Sequence, residues 1–394
     1  MRDALGSGTV LGYGANVHPG VTLAEVKRQL DAHTLAVKRR VCPDGPMGVG
    51  LWLASPAMQQ LIASDGVAAF RDWLGERDLL PYTLNGFPFE AFHDPVVKDA
   101  VYRPHWADED RFQYTLGLAS ILAELLPEGA EGSISTLPVG WPASFCSSPE
   151  AYEERARAAA EQLIRLVHAL ARIELDTGRH IHVDLEPEPG CVLETADGVV
   201  RFFERYLLGG PDDLSVLSYL RVCHDVCHAA VMFEDQAEAL ATYRAAGLRV
   251  GKAQLSSALD VDFDAMSAEA WGEAWTQLRG FAEPRYLHQT SVRGGDGRVQ
   301  SYVDLPDAID DVGEPRGHWR VHFHVPVHLD TLGAVGTTRG EIGRFTEAVE
   351  PGDGLKHYEV ETYAWGVLPE SLRPDDLSAG IAAELAWVRD GFGR

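Results

Sequence analysis

Short apolar runs rich in β-branched and aromatic residues recur along the chain, and stretches with a three-to-four-residue apolar spacing lie between them. This alternation is typical of α/β proteins, in which helices cover a largely parallel sheet. The predicted strands are residues 10–17, 48–54, 80–87, 132–139, 180–187, 220–227, 248–256 and 358–365. A ninth apolar run, residues 319–327, falls inside the last strand–helix repeat.

The clearest predicted helix follows Ser148, a good N-cap residue that stands before Pro149 at the first helical position. Apolar residues then recur every three or four positions until Gly178, which is expected to end the helix. Further helices are predicted at about 22–40, 56–75, 107–125, 235–246, 266–280, 338–349 and 376–391.

Eight strands separated by helices in 394 residues predict an α/β fold of the (β/α)8 TIM-barrel type with rim-loop insertions. We expect residues 1–394 to form a single domain. The clearest insertion is the segment 283–318, which is rich in Gly, Asp and Pro and follows the seventh predicted strand. The chain is 45% hydrophobic, which is enough to bury a full core.

Composition narrows the function classes. The formal net charge is −25, which argues against a surface for nucleic acid, because such surfaces neutralise phosphates with Lys and Arg. No apolar run approaches the roughly 20 residues of a membrane helix, and no secretory signal is recognisable, so we expect a cytoplasmic protein. The five cysteines are scattered and do not resemble a disulfide framework.

Residue types that ligate metals stand at or near the ends of the later apolar runs. They are Glu186, Asp225, His228, Gln254, His322, His324 and Glu361. Because the carboxyl ends of barrel strands meet at one rim, we expect these side chains to lie close together. Oxygen and nitrogen donors from separate strand ends can enclose a divalent cation, and Mn, Co, Fe, Mg and Zn all remain open.

Glu186 and Glu361 should face each other across the barrel mouth, where one could remove a proton from a substrate carbon and the other return it. Asp225 and His228 are three residues apart, so a strand-to-helix turn would let both reach one cation. Alternatively, one glutamate pairs with a barrel Arg or Lys. Glu188 competes with Glu186 for the ligand position, and we prefer Glu186.

His322 and His324 are two residues apart on an extended segment, so both side chains should project to the same side, with His328 nearby. We expect them to ligate metal. His324 and His228 are also candidates for proton transfer. A chance cluster of histidines satisfied by ordinary hydrogen bonds is the alternative.

The ends of the early strands carry amides, imidazoles and aromatic rings suited to binding hydroxyl groups and forming one apolar wall. The candidate substrate-binding residues are Asn16, His18, Asn85, His93, Trp141 and Trp365. The tryptophans could equally belong to the core, and His18 and His93 could hold a second metal. No glycine-rich fingerprint follows the first strand, so bound NAD(P) is not expected.

The ligand-type residues resemble those of the xylose isomerase-like TIM barrels, a superfamily of sugar isomerases, ketose epimerases, inosose dehydratases and endonuclease IV. The resemblance implies a divalent metal held by Glu186, Asp225 and Glu361 at the ends of strands five, six and eight. Strand seven usually offers His, and Gln254 departs from that pattern. His322-x-His324 resembles the paired ligands that follow strand seven in the nuclease branch, so one of them could supply the missing nitrogen.

A closer resemblance extends over nearly the whole chain. It rests on the runs LGYGANVHPG, TLNGFPFEAFH, GSISTLPVGW, LEPEPGC, CHDVCHA, HFHVPVH and ETYAWGVLP. These are similar to the EboE-type "metabolite traffic" proteins, and the similarity implies a barrel that handles sugars or cyclitols.

Residues and resemblance together predict a metal-dependent isomerase or epimerase of a sugar, cyclitol or cyclitol ketone, acting by proton abstraction through a metal-bound enediolate. The alternatives are a dehydratase of the inosose type, a metal-dependent phosphodiester hydrolase of the endonuclease IV type and a non-catalytic metabolite carrier. The expected partner is a small polyhydroxylated substrate, with no nucleic acid and no membrane insertion. The barrel could pair as a homodimer.

Overall fold

Parallel strands arranged as a barrel form the centre of the computed structural model, which describes residues 8–64, 66–90 and 92–392. In chain order the strands are β1 (Val10–Tyr13), β2 (Met47–Trp52), β3 (Leu79–Asn85), β4 (Glu131–Thr136), β5 (His180–Leu185), β6 (Leu220–Asp225), β7 (Val250–Leu255), β8 (Leu259–Asp262), β9 (Thr290–Arg293), β10 (Val299–Tyr302), β11 (His318–Val321), β12 (Thr331–Leu332), β13 (Val335–Thr337) and β14 (His357–Val360).

Strands β1 to β7 and β14 make up the barrel, in the order β1-β14-β7-β6-β5-β4-β3-β2. A parallel bridge between Gly14 and Gly50 brings β1 and β2 together and closes the ring. The eight predicted strands are therefore confirmed as the strands of a (β/α)8 barrel, with all their carboxyl ends at one rim.

Helices surround this sheet. They are α1 (Leu23–Gln29), α2 (Leu35–Val41), α3 (Ser55–Ala63), α4 (Val67–Gly75), α5 (Glu109–Leu125), α6 (Pro142–Phe145), α7 (Pro149–Thr177), α8 (Ala196–Phe202), α9 (Asp213–Tyr219), α10 (Val226–Val231), α11 (Gln236–Ala245), α12 (Ala268–Arg279), α13 (Leu305–Val312), α14 (Arg339–Ala348) and α15 (Leu377–Phe392). Each predicted helix is present, although two of the predicted stretches are divided. The stretch 22–40 forms α1 and α2 with a π-helical turn (Leu30–Thr34) between them, and the stretch 56–75 forms α3 and α4. Among the described helices, none is long and apolar enough to cross a membrane.

Local sequence explains the longest helix. The Ser148 hydroxyl accepts a hydrogen bond from the backbone N–H of Ala151 at 3.2 Å and caps α7. Gly178 ends it in the left-handed region, at φ 67°, where glycine has no steric penalty. Leu163, Leu166 and Leu170 are fully buried on the face turned to the barrel.

A second, antiparallel sheet lies in the chain segment between β7 and β14. Its strand order is β10-β9-β11-β8-β13-β12. The ninth apolar run enters this sheet through β11 rather than the barrel, and residues 322–327 continue from it to the barrel rim. The predicted insertion 283–318 lies within this larger segment, which we call the inserted sheet (residues 259–337).

The interior of the barrel is unusually polar for this architecture, which is normally filled by branched apolar residues. Lys252 and Glu359 form a fully buried ion pair, with 2.9 Å between Nζ and Oε1. Lys252 also donates to Ser135 at 3.2 Å. The Glu359 carboxylate occupies the space beside Gly50, where an added Cβ would lie 1.3 Å from its Oε2 atom. A residue without a side chain is therefore required at position 50.

Gly50→Ala tests this arrangement. The new methyl group must displace Glu359 and separate it from Lys252, so we expect the free energy of unfolding to fall by about 3–5 kcal/mol. Urea unfolding followed by circular dichroism measures the change. Gly272→Ala is the matched control, because Gly272 lies inside α12 with no atom close to its added Cβ, and it should gain about 0.5–1 kcal/mol. Equal stability of the two variants would contradict the account.

Candidate metal centre

Three carboxylates converge at the carboxyl rim of the barrel. Glu186 directly follows β5, Asp225 is the last residue of β6, and Glu361 directly follows β14. One oxygen atom from each lies within 4.8 Å of the others, and all three residues are at least 95% buried. The barrel order separates β5 from β14 by β6 and β7, so the fold alone brings these residues together.

Crowding of negative charge in a buried place changes the protonation of the cluster. Burial, followed by repulsion from Glu361 and Asp225, raises the pKa of Glu186 well above its usual range. Burial and the charge of Asp225 raise the pKa of Glu361 to about 8. Burial also opposes ionisation of Asp225, but His228, His324 and a hydrogen bond from Ser256 outweigh it and lower the pKa of that carboxyl.

The turn after β6 fixes Asp225 and His228 as a unit. Asp225 is the N-cap of α10, and its Oδ1 accepts hydrogen bonds from the His228 backbone N–H at 2.9 Å and the Ser256 hydroxyl at 2.7 Å. These bonds occupy one carboxylate oxygen and leave Oδ2 for another partner. The Nε2 atom of His324 lies 3.8 Å from that Oδ2, and the Nε2 atom of His228 lies 4.0 Å from it.

Several buried polar atoms at this rim lack a hydrogen-bond partner among the described residues. They are Glu186 Oε2, Asp225 Oδ2, His324 Nε2 and both amide atoms of Gln254. Buried polar atoms are rarely left without partners, because the loss of hydration is then not replaced. A divalent cation would satisfy the carboxylate oxygens, the imidazole nitrogen and the amide oxygen of this set, though not the amide N–H group of Gln254, so these atoms fit the metal that the sequence predicts.

Hydrogen bonds fix the tautomers of the three histidines. The Nδ1 atoms of His228 and His324 lie 2.9 Å from the backbone carbonyl oxygens of Pro187 and Glu361. The Nδ1 atom of His322 lies 2.7 Å from Oε1 of Gln289. Carbonyl oxygens only accept, so each Nδ1 carries the proton and each Nε2 presents a lone pair.

Two of these lone pairs face each other. The Nε2 atoms of His228 and His322 are 3.2 Å apart, so neither ring can donate to the other while both are neutral. Burial lowers the pKa of His228 to about 4 and that of His322 well below its usual value, which disfavours a bridging proton. Donors on one tetrahedral Zn²⁺ lie roughly 3.3–3.5 Å apart, since each sits roughly 2.0–2.1 Å from the ion. The pair therefore also has the spacing of metal ligands.

The alternation of side chains along β7 determines which way Gln254 points. Lys252 points into the barrel towards Glu359, and Gln254 shares its side of β7 one step nearer the rim. The Gln254 side chain is fully buried, and its carbonyl oxygen is a suitable donor to a hard cation.

Two of the predicted substrate-binding residues orient a carboxylate. Asn16 and Asn85 donate to the same oxygen of Glu361, Oε1, at 2.8 Å and 3.0 Å. Both also line the cleft above the cluster. His93 lies one layer behind, with its Nε2 atom 2.7 Å from the backbone oxygen of Asn16.

Neither His93 nor the other three predicted substrate-binding residues line this cleft. His18 hydrogen-bonds to the Tyr13 hydroxyl at 2.9 Å and stacks on another histidine. Trp141 stacks behind Tyr102, with 5.0 Å between ring centroids. The indole N–H of Trp365 donates to Glu384 of α15 at 3.2 Å. A contribution of His18, Trp141 and Trp365 to substrate binding stays a prediction.

Sequence reasoning missed a hydrogen-bonded group beside His322. Glu188, considered only as a substitute for Glu186, accepts from the Tyr102 hydroxyl at 2.7 Å and from Gln289 Nε2 at 3.0 Å. One of its oxygens lies 3.5 Å from His322 Nδ1. Gln289 comes from the inserted sheet and carries no strand-end signal, so only the fold reveals its position.

The cleft above the cluster encloses about 520 Å³ of empty space, part of it open to solvent. Its inner end is lined by Glu186, His228, His324 and Glu361, and its outer end mainly by aromatic and aliphatic side chains. A molecule bound there would have its polar part against the candidate metal ligands.

A solved structure with a TM-score above 0.5 supports the fold. A xylose isomerase-like TIM barrel protein from Mycobacterium smegmatis, solved in complex with magnesium, is 10% identical, and the match covers 100% of this chain and 98% of that one with a TM-score of 0.53. The match to 3-keto-D-glucoside 4-epimerase from E. coli has 13% identity, coverage of 97% and 99%, and a TM-score of 0.48. The match to the IolI protein with a bound zinc atom has 10% identity, coverage of 98% and 98%, and a TM-score of 0.48.

The chain therefore has the fold of the xylose isomerase-like TIM barrels, as predicted. At these identities the similarity concerns the fold alone. No protein-family model and no curated protein matches the chain. The closer resemblance to the EboE-type proteins stays a prediction.

Gln289→Leu tests how the inserted sheet supports the cluster. The substitution removes the oxygen that holds His322 Nδ1, so the ring loses its fixed tautomer, and we expect affinity for Mn²⁺ or Zn²⁺ to fall about 10–100-fold. Competition with a chromophoric chelator measures the affinity. Gln300→Leu, an exposed change in the same sheet, is the control and should match the wild type. Unchanged affinity in Gln289→Leu would show that His322 has no part in metal binding.

Proposed function

We propose that the protein is a divalent-metal-dependent isomerase or epimerase of a small polyhydroxylated ketone, such as a ketose or a cyclitol ketone. The observation that carries the proposal is the placement of Glu186 and Glu361 beside Asp225, with unpartnered donor atoms between them at the inner end of a cleft. Two carboxylates on separate strands can reach a bound carbon from two directions, which proton transfer between faces or between neighbouring carbons requires.

The residues that would hold the cation are Glu186, Asp225 and Glu361, with His324 or Gln254 completing the set. The bound cation would supply Lewis-acid activation of a ketone and its neighbouring hydroxyl, which acidifies the adjacent C–H bond. His228 and His322 have the spacing for a second cation, with Glu188 within reach.

In this proposal the chain's own groups position and move the proton. Asn16 and Asn85 hold Glu361 through Oε1, which limits the orientations available to its carboxylate. Glu361 removes the proton from the carbon next to the carbonyl, and Glu186 delivers one on the other side. Delivery to the same carbon gives an epimer, and delivery to its neighbour gives an isomer. The burial of the rim residues keeps bulk water away from the reacting carbon, and the delivering carboxyl group takes its proton from solvent between turnovers.

A second candidate is metal-dependent phosphodiester hydrolysis, which the facing Nε2 atoms of His228 and His322 favour because hydrolases of this kind bind paired cations. The net charge of −25 opposes a polynucleotide substrate. Release of a phosphomonoester from a diester, with no proton exchange at carbon, would identify this activity.

Solvent deuterium tests the proposal directly. The Mn²⁺-loaded protein is incubated in D₂O with a panel of ketoses and cyclitol ketones, and the products are examined by NMR. We expect deuterium at the carbon next to the carbonyl, and a loss of about 10²–10⁴-fold in exchange rate for Glu361→Gln.

Glu273→Gln, an exposed glutamate on α12, is the matched control and should exchange like the wild type. Metal content is measured for each variant, so that loss of the cation is distinguished from loss of the base. Conversion of a substrate without solvent deuterium in the product would sink the proton-transfer mechanism.

A further inference from the structure

The outer end of the cleft differs in character from its inner end. We call the side formed by Phe87, Phe92, Tyr286, Leu287 and Tyr363 the apolar wall. These residues come from the loop after β3, from the inserted sheet's segment before β9 and from the turn after β14. Three distant parts of the chain therefore contribute to one hydrocarbon surface facing the candidate metal ligands.

Aromatic contacts hold this surface together and join it to the inner end. The ring centroids of Phe92 and Tyr286 are 5.1 Å apart, those of Phe92 and Tyr363 are 5.3 Å apart, and those of Tyr286 and Tyr363 are 5.1 Å apart. The Tyr363 ring lies 4.7 Å from the His324 ring. The apolar wall thus begins beside a candidate metal ligand, and a ligand that reaches the cation would extend along it.

The polar groups of this region are already engaged within the protein. The Tyr286 hydroxyl donates to the Phe92 backbone oxygen at 3.2 Å. The ammonium group of Lys98, which also borders the cleft, donates to Asp304 at 2.6 Å and to the Tyr286 backbone oxygen at 2.7 Å. The Tyr363 hydroxyl lies 3.4 Å from His322 Nε2. The wall therefore presents carbon rather than free hydrogen-bonding groups to the cleft.

A sugar can lay a C–H face on aromatic rings, but a hydrocarbon ring matches such a surface better, because it has no edge hydroxyl groups that lose their hydration there. Moving a hydroxyl group from water against hydrocarbon without replacing its hydrogen bonds is unfavourable, whereas moving an apolar group there is favourable.

We propose that the substrate carries a hydrocarbon ring, aromatic or alicyclic, beyond the oxygens that reach the metal centre. This inference rests on the proposed function and narrows its substrate class to amphiphilic molecules. The oxygenated head lies among Glu186, Asp225 and Glu361, and the hydrocarbon ring lies along the apolar wall.

Two hydroxamic acids that share a metal-chelating head but differ in their tails show which kind of tail the outer end of the cleft prefers. 3-Phenylpropanohydroxamic acid carries a phenyl tail, and gluconohydroxamic acid carries a polyhydroxylated tail. Calorimetric titration of each into the Mn²⁺-loaded protein gives the preference for one tail over the other. We expect the phenyl compound to bind at least tenfold more tightly.

Substitution of Leu287 links this preference to the apolar wall. Leu287→Asn keeps the size of the side chain and adds an amide, so it should reduce the phenyl preference to less than threefold. Leu287→Met keeps the wall apolar and should retain the wild-type preference. Thermal unfolding of both variants shows whether each is folded, and only folded variants are compared.

Equal or tighter binding of the polyhydroxylated compound would overturn this inference and leave the proton-transfer proposal intact. Retention of the full phenyl preference in folded Leu287→Asn would also overturn it, because the tail would then bind elsewhere. Failure of both compounds to bind protein that carries Mn²⁺ would overturn this inference, because the cleft would then not admit a ligand of the cation. Absence of deuterium exchange, with the phenyl preference preserved, would count against the proposed reaction alone.

Discussion

Repulsion among three buried carboxylates is the interaction on which the rest of the site depends. Glu186, Asp225 and Glu361 are supplied by three strands, and the closed barrel does not let them move apart. Lys252 lies below them, but its charge is already matched by Glu359 at 2.9 Å. Unpaired charges are costly in such surroundings, so the rim needs protons or a cation to be stable.

The three histidines beside the carboxylates favour a metal ion over protons as the means of stabilising this cluster. Each of His228, His322 and His324 donates through Nδ1 to an oxygen and turns Nε2 towards the same region, where the Tyr363 hydroxyl is within 3.4 Å of the His322 atom. Protons could neutralise the carboxylates, but they would not satisfy the imidazole lone pairs of His228 and His324 in a place where burial disfavours imidazolium. A metal ion satisfies carboxylate and imidazole donors together.

The barrel and most of this rim could be predicted from the sequence, because both leave local signals. A buried parallel strand is an apolar run, and Glu186, Asp225 and Glu361 stand where three such runs end. The inserted sheet leaves a weaker signal, since strands such as β9 and β10 are four residues long and largely polar. Its extent was therefore not foreseen.

Residues placed by long-range packing could not be predicted. Gln289 contacts His322 and Tyr286 lines the cleft only because the inserted sheet folds back over the rim, and nothing in their neighbourhood along the chain indicates this. The aromatic residues show the same limit. Trp365 stands at a strand end, yet its indole N–H is satisfied by Glu384, while Phe92 and Tyr363 line the cleft.

The central claim is that a divalent cation completes the carboxylate–histidine cluster. The most direct test is the metal content per chain of protein purified without chelator, by elemental analysis of the wild type and of the Glu186→Gln/Asp225→Asn double variant. We expect one or two equivalents of a divalent metal in the wild type and less than a tenth of that in the folded double variant. Stoichiometric metal in neither protein, even after dialysis against Mn²⁺ and Zn²⁺, would contradict it.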